Sequence, residues 1–175
     1  MPLGAAFTAG TTLGGTMTGV MLTILAGLLS PLPSAWRLGA AVVLAIALAG
    51  LDLATSSLPL PQRTTLIPQE VFHRGMRRGL FLFGIEYGVG WRVLIPSAAP
   101  WIIAATLVLI NPSWWVTVAA GTVFGLGRSL AIWQMLLWGE DGWQWRLARH
   151  SRLLERIGSV ATAALVLLAA WLIVG

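Results

Sequence analysis

Three ionisable side chains, Glu86, Arg92 and Arg128, lie inside long apolar stretches of the sequence. A charge at membrane depth is costly and usually faces a partner or a water-filled cavity. Glu86 could pair with Arg92 or with Arg128, although an undistorted helix would not place residues 86 and 92 on one face. Two interpretations follow: a path for a polar solute or a proton, or a buried ion pair that fixes helix packing or meets a partner subunit.

The second candidate is a bend near Pro96 and Ser97, with Pro100 shortly after it. A proline bend can expose backbone carbonyl groups to a substrate, or it can be an ordinary kink. Ser97 has no G-x-S-x-G context and no nearby histidine, so we do not expect a nucleophile there. His73 and His150 have no neighbours at metal-ligand spacing. We therefore expect no metal, no cofactor and no enzymatic activity, because no set of residues supplies a nucleophile, a base and a metal together.

The composition indicates which solvent surrounds these residues. The chain is 57% hydrophobic and only 10% charged, whereas a soluble domain carries about 25% charged residues. Lipid must therefore be the main solvent, and the ten Trp residues suit the membrane–water interface. The absence of Cys excludes a disulfide framework, a thiol relay and thiolate metal sites. The net charge of +5 comes from Arg in two loops, so we attribute it to topology and expect no nucleic-acid partner.

The apolar segments predict an all-α polytopic membrane protein, a single transmembrane domain over residues 1–175 with about five transmembrane helices. A continuous helix over the third segment would run about 48 Å, against about 30 Å of hydrocarbon core, so we predict that this segment is broken. A third segment that crosses twice would instead give six spans. Asp52, near the end of the second segment, is expected at the membrane interface. The predicted spans are 3–29, 36–53, 79–110, 112–138 and 156–174.

Most of the Arg residues fall in two polar stretches, 54–78 and 139–155, the second of which has the pattern of an amphipathic surface helix. The positive-inside rule places both loops in the cytoplasm. The sequence thus predicts a multi-pass protein of the cell membrane, with its N-terminus cytoplasmic and its C-terminus outside.

Glycines recur at spacings that let helices approach closely. Gly10 and Gly14 form one such pair, and Gly15 and Gly19 form another. We predict that these faces pack against other helices. The predicted packing glycines are Gly10, Gly14, Gly15, Gly19, Gly84, Gly88, Gly121 and Gly125.

The chain also repeats itself. Ala9-Gly10-Thr11-x-Leu13-Gly14 matches Ala120-Gly121-Thr122-x-Phe124-Gly125, and Arg37-Leu38-Gly39 matches Arg156-Ile157-Gly158. The matched helices are the first and the fourth span, and the second and the fifth; each pair differs by an odd number of crossings, so its helices should cross the membrane in opposite directions. This predicts an inverted repeat, a common plan in transporters. The repeat is incomplete, because only its second unit has the broken helix.

This pattern resembles the transmembrane domain of the CcdA/DsbD thiol–disulfide electron transporters of cytochrome c biogenesis, in the LysE-like superfamily. The likeness lies in three segments: 78–88, 94–97 and 124–130. It implies two inverted units of three helices, each opening with a helix broken at a Cys-Pro-type bend. This chain has Ile95 and Ser97 beside Pro96, and a hydroxyl cannot undergo thiol–disulfide exchange. The resemblance therefore implies the fold and not the reaction.

Two hypotheses for function remain. The first is a non-catalytic accessory subunit that packs against partner membrane helices, in a homo-oligomer or a hetero-complex, because an incomplete repeat leaves small-residue faces uncovered. The alternative is a small-solute or ion transporter that uses Glu86, Arg92 and Arg128.

Overall fold

A computed structural model describes residues 2–55, 75–90 and 97–174, with the backbone alone at residues 2, 140–148 and 174. The regular secondary structure of these residues is entirely α-helical, as the composition predicts. The helices are α1 (Pro2–Leu29), α2 (Ser34–Ala54), α3 (Met76–Gly88), α4 (Ala99–Ile110) and α5 (Trp114–Val174).

Four helical stretches among the described residues are long and apolar enough to cross a membrane: Leu3–Leu29, Ser34–Ala54, Trp114–Gly139 and Arg149–Ile173. A multi-pass membrane protein is therefore supported, whereas the predicted number of about five spans is not confirmed. Within α5 the backbone leaves helical geometry at Gly139, where φ is 73°. Glycine adopts such a positive φ without steric cost. We call Trp114–Gly139 α5a and Arg149–Ile173 α5b.

The described part of the predicted third span, 79–110, lies in two short helices. Helix α3 ends at Gly88 and is followed by Gly90, whose φ is 85°. Helix α4 begins at Ala99 with Pro100 in its first turn, a position where the missing N–H of proline costs nothing. At about 1.5 Å per residue these helices run only about 18–20 Å, well short of a 30 Å hydrocarbon core.

The sequence predicts one domain over residues 1–175, and the contacts group the chain into two compact units. Unit 1 comprises Met1–Met21, Pro61–Leu94 and Trp114–Ala148. In unit 1, α1 and α3 run parallel, because Gly10 lies against Gly84 and Gly14 lies against Gly88. Helix α5a runs antiparallel to α1, since Gly15 lies against Gly121 and Gly19 lies against Thr117. The two copies of the Ala-Gly-Thr motif thus lie on antiparallel helices.

Unit 2 comprises Leu22–Leu60, Ile95–Ser113 and Arg149–Gly175. Helix α2 runs antiparallel to α4, with Arg37 bonded to the Leu109 carbonyl near one end and Asp52 beside Ala98 near the other. Ser159 of α5b also contacts Asp52. Small side chains dominate the core, so the three helices can approach closely. The buried core residues are Ala45, Ala49, Ala98, Ile102, Ala163 and Val166.

Candidate functional site

A buried carboxylate marks the polar centre of unit 2. Asp52 lies in the last turn of α2 and is only 7% exposed within the protein. Ser159 on α5b is fully buried and donates a hydrogen bond from its hydroxyl to Asp52 Oδ2. The backbone N–H of Ala98 approaches the same oxygen at 3.5 Å. Asp52 is therefore held by groups from α4 and α5b, two helices that are distant from it in sequence.

The position of α4 explains why a carboxylate is tolerated there. Ala98 is the N-cap of α4, and no side chain caps this helix from the N-cap position. The N-terminal end of a helix carries unsatisfied N–H groups and a partial positive charge, both of which favour an anion. Asp52 faces that end through Ala98, so the short helix α4 supplies part of the solvation that lipid cannot.

Two hydroxyl groups extend this site into a chain. Ser97 Oγ lies 3.1 Å from Ser159 Oγ and 3.3 Å from the Glu155 carbonyl oxygen. Ser159 Oγ is also 3.1 Å from the same Glu155 oxygen. The backbone N–H of Ala99 donates to Ser97 Oγ at 3.2 Å, which fixes Ser97 at the start of α4. We call Asp52, Ser97 and Ser159 the carboxylate cluster.

Ser97 is the member of the carboxylate cluster that the sequence singled out as a candidate. Its predicted neighbour at the bend, Pro96, lies outside the described residues, as does Arg92. The sequence predicts Asp52 at the membrane interface and does not single out Ser159. An acidic residue in an apolar span is itself a signal for a functional site. Its partners carry no such signal, because 46 and 107 residues separate Asp52 from Ala98 and Ser159.

The second polar feature, in unit 1, is Arg128 on α5a. Its guanidinium carbon lies 4.0 Å from the centroid of the Tyr87 ring and 5.5 Å from that of Phe124. A cation over an aromatic face is attracted by the ring quadrupole, more strongly where water is excluded. The Nε atom is buried and has no hydrogen-bond partner among the described residues. The structure thus places this charge against the aromatic side chains of Tyr87 and Phe124.

Aromatic packing fixes the ring beneath Arg128. The Tyr87 ring lies 5.8 Å from Phe7 on α1 and 6.2 Å from Phe83 on α3, between ring centroids. Phe7 is only 3% exposed, so the group is anchored in the interior of unit 1. Glu86 precedes Tyr87 on α3 and is half-buried. Its pairing with Arg92 or Arg128 stays a prediction.

The predicted packing glycines all lie at close contacts between helices of unit 1. A Cβ atom built on each would fall 2.2–2.8 Å from a backbone atom of a neighbouring helix, and contacts below 3.0 Å essentially never occur. Gly10 and Gly14 face α3, whereas Gly15 and Gly19 face α5a. The interface with α5a also carries a hydrogen bond of 2.9 Å between the hydroxyls of Thr16 and Thr122. The chain's own helices therefore occupy these small-residue faces.

Comparison with known proteins adds no relative to this description. No family model, no curated protein and no solved structure matches the chain. The resemblance to the CcdA/DsbD family stays a prediction from the sequence, and the carboxylate cluster has to be interpreted from its own geometry.

Proposed function

We propose that this protein is a membrane transporter that moves a proton, alone or together with a small solute, and that Asp52 is the group that binds the proton. The observation that carries the proposal is the burial of Asp52 among three apolar helices with a chain of hydroxyls attached to it. Ionisable side chains held in this way inside membrane proteins are typical of proton and ion paths.

Ser159 allows Asp52 to change its protonation state without losing its hydrogen bond. When Asp52 is ionised, the Ser159 hydroxyl donates to its carboxylate. When Asp52 takes up a proton, the new O–H can donate to Ser159 Oγ, and the serine hydroxyl can turn to the Glu155 carbonyl oxygen 3.1 Å away. Asp52 Oδ2 and Ser159 Oγ thus keep a hydrogen bond in either state, which avoids the cost of about 1–3 kcal/mol of leaving a buried polar group unsatisfied.

Ser97 provides the next step of the path. Its hydroxyl reaches both Ser159 and the Glu155 carbonyl oxygen, so it can accept or donate in the same relay. Ser97 is half-buried, whereas Ser159 is fully buried. The proposed route therefore runs from Asp52 through Ser159 to Ser97, at the start of α4.

The relative directions of the helices also support a transport function. Within unit 1, the long helices α1 and α5a are antiparallel and pack with the short helix α3. Within unit 2, α2 and α5b are also antiparallel, because Ser159 lies beside Asp52 and Ile173 lines a cavity together with Ser34, and both pack with the short helix α4. Inverted-repeat transporters also use short helices whose ends face the transported species. We propose that the incomplete inverted repeat belongs to this plan, and that Glu86, Arg92, Arg128 and the Pro96 bend supply polar groups for a solute.

The test is proton flux into vesicles that contain the purified protein and a trapped pH-sensitive dye. We expect an acid pulse with a counter-ion shunt to acidify vesicles with the wild-type protein faster than empty ones. Asp52→Asn should reduce this flux to the empty-vesicle rate, because an amide cannot take up the proton. Glu155→Gln is the matched control, since it removes a nearby carboxylate but keeps the backbone carbonyl. Full flux in assembled Asp52→Asn would reject Asp52 as the group that binds the proton, and wild-type flux equal to that of empty vesicles would reject transport of a proton alone.

The accessory-subunit hypothesis is the second proposal, and another observation favours it. A Cβ atom added to Gly39 or Gly50 on α2 would have no atom of the described chain within 4 Å. The two glycines are about three helical turns apart and share one exposed face, to which a helix of a partner protein or a second copy could pack. Gentle detergent extraction should then recover a stoichiometric partner, and Gly50→Leu should release it. A lone monomer would reject this proposal.

A further inference from the structure

A groove of about 650 Å³ opens between the N-terminal parts of α1 and α3 in unit 1. Helix α1 contributes three alanines, whose methyl groups form an apolar floor. Helix α3 and the residue before it contribute two arginines, an aromatic ring and a thioether. The lining includes Ala5, Ala6, Ala9, Arg77, Arg78 and Phe81.

The charge and the apolar surface of this groove are segregated. Arg77 and Arg78 are exposed and lie at the beginning of α3. Ala9 and Phe81 lie further along both helices, which run parallel here. A ligand that satisfies both parts has an anionic head beside the arginines and a hydrocarbon tail along the alanines. In a bilayer, phospholipids with a net negative charge have this chemistry.

The geometry points to a binding site for an anionic phospholipid in this groove, with its phosphate beside Arg77 and Arg78 and one acyl chain along Ala5, Ala9 and Phe81. Charge complementarity selects this occupant over a zwitterionic lipid, because two guanidinium groups face the headgroup and both can donate to phosphate oxygens. The positive-inside prediction places the same end at the cytoplasmic leaflet, where anionic lipids attract basic segments.

The backbone at the start of α3 adds to this preference. Gly75 is the N-cap, with φ of 100°, and it has no side chain that could bond the first N–H groups. These groups and the positive end of the helix dipole favour an anion close to the two arginines.

The experiment is native mass spectrometry of the full-length protein, stripped of lipid and titrated with phosphatidylglycerol or with phosphatidylcholine of the same acyl chains. We expect one phosphatidylglycerol to bind in preference to phosphatidylcholine. Arg77→Gln with Arg78→Gln should weaken that binding about 30-fold, from about 1 kcal/mol for each arginine near the charged headgroup. The matched control is Arg152→Gln with Arg156→Gln, which removes the same charge from exposed positions of α5b.

A second variant tests whether the acyl chain of the lipid lies in the groove. Ala9→Phe fills the floor of the groove without changing the charge, and it should also weaken phosphatidylglycerol binding. Inorganic phosphate added in excess should not displace the lipid, because it lacks an acyl chain. Equal binding of the two lipids, equal loss in the control pair, or displacement by phosphate would each overturn the site. Far-UV circular dichroism confirms that each variant is folded before the comparison.

Discussion

Replacing Gly15 by alanine tests the packing of α1 against α5a. The added Cβ would lie 2.2 Å from the carbonyl oxygen of Gly121 and 2.7 Å from the Cα of Gly125. Because carbon and oxygen normally approach to about 3.3 Å, the two helices must separate by about 1 Å. Both neighbours are backbone atoms, so no side-chain rotation can relieve the clash.

The cost of this separation follows from two terms. Overpacking of a close interface costs about 1–3 kcal/mol. A movement of about 1 Å would also stretch the hydrogen bond between Thr16 and Thr122, now 2.9 Å, beyond hydrogen-bonding distance. Such a bond between membrane helices is worth about 0.6 kcal/mol. We therefore expect Gly15→Ala to lower the free energy of unfolding by about 2–3 kcal/mol.

Gly127→Ala is the matched control, because no atom of the described residues lies within 4 Å of the Cβ position there. We expect it to leave stability unchanged or to raise it by up to about 1 kcal/mol, as alanine is the better helix former. The assay is reversible unfolding of the protein in mixed micelles by increasing sodium dodecyl sulfate, followed by far-UV circular dichroism. Equal unfolding midpoints for the two variants would refute the close approach of α1 and α5a.

Three further predictions address other contacts. Thr16→Cys combined with Thr122→Cys should form a disulfide on mild oxidation, seen as a shift in electrophoretic mobility that a reductant reverses. Neither single variant should show the shift, and the sequence contains no native Cys that could interfere. Tyr87→Leu should lower the free energy of unfolding of the detergent-solubilised protein by about 1 kcal/mol, measured by thermal unfolding, because Arg128 loses the ring beneath it. Tyr87→Phe keeps the ring and should stay close to wild type. Arg37→Met should destabilise the protein by about 2 kcal/mol in the same thermal assay, because it removes bonds to two carbonyl oxygens; an unchanged midpoint would contradict this.

The sequence by itself determined that the chain is helical and suited to a bilayer. Hydrophobicity is a local property, because each span must be apolar over its own length whatever it packs against. The interruption of the segment 79–110 was predictable for a similar reason. Its length exceeds the hydrocarbon core, and the described part ends one helix at Gly88 and begins the next at Ala99. Proline and glycine act on the backbone where they stand.

The glycine pattern predicts that helices approach closely, but it does not predict which helices do so. The spacing of Gly10, Gly14, Gly15 and Gly19 predicts close helix contacts but not the partner helix, and the accessory-subunit hypothesis assigns these faces to a helix of another subunit. In the structure, α3 and α5a of the same chain occupy these faces. The partner was undetermined because a small residue permits approach from any helix, and only the folded chain shows which helix is near.

The carboxylate cluster depended on tertiary structure in the same way. The sequence contains Asp52, Ser97 and Ser159, yet nothing in their spacing relates them, since they belong to three separate segments. Their meeting depends on the antiparallel packing of α2 with α4 and on the position of α5b beside both. Burial and hydrogen bonding are properties of an environment that several segments create together. A single sequence thus identifies a charge that needs a partner, and the fold decides which groups satisfy it.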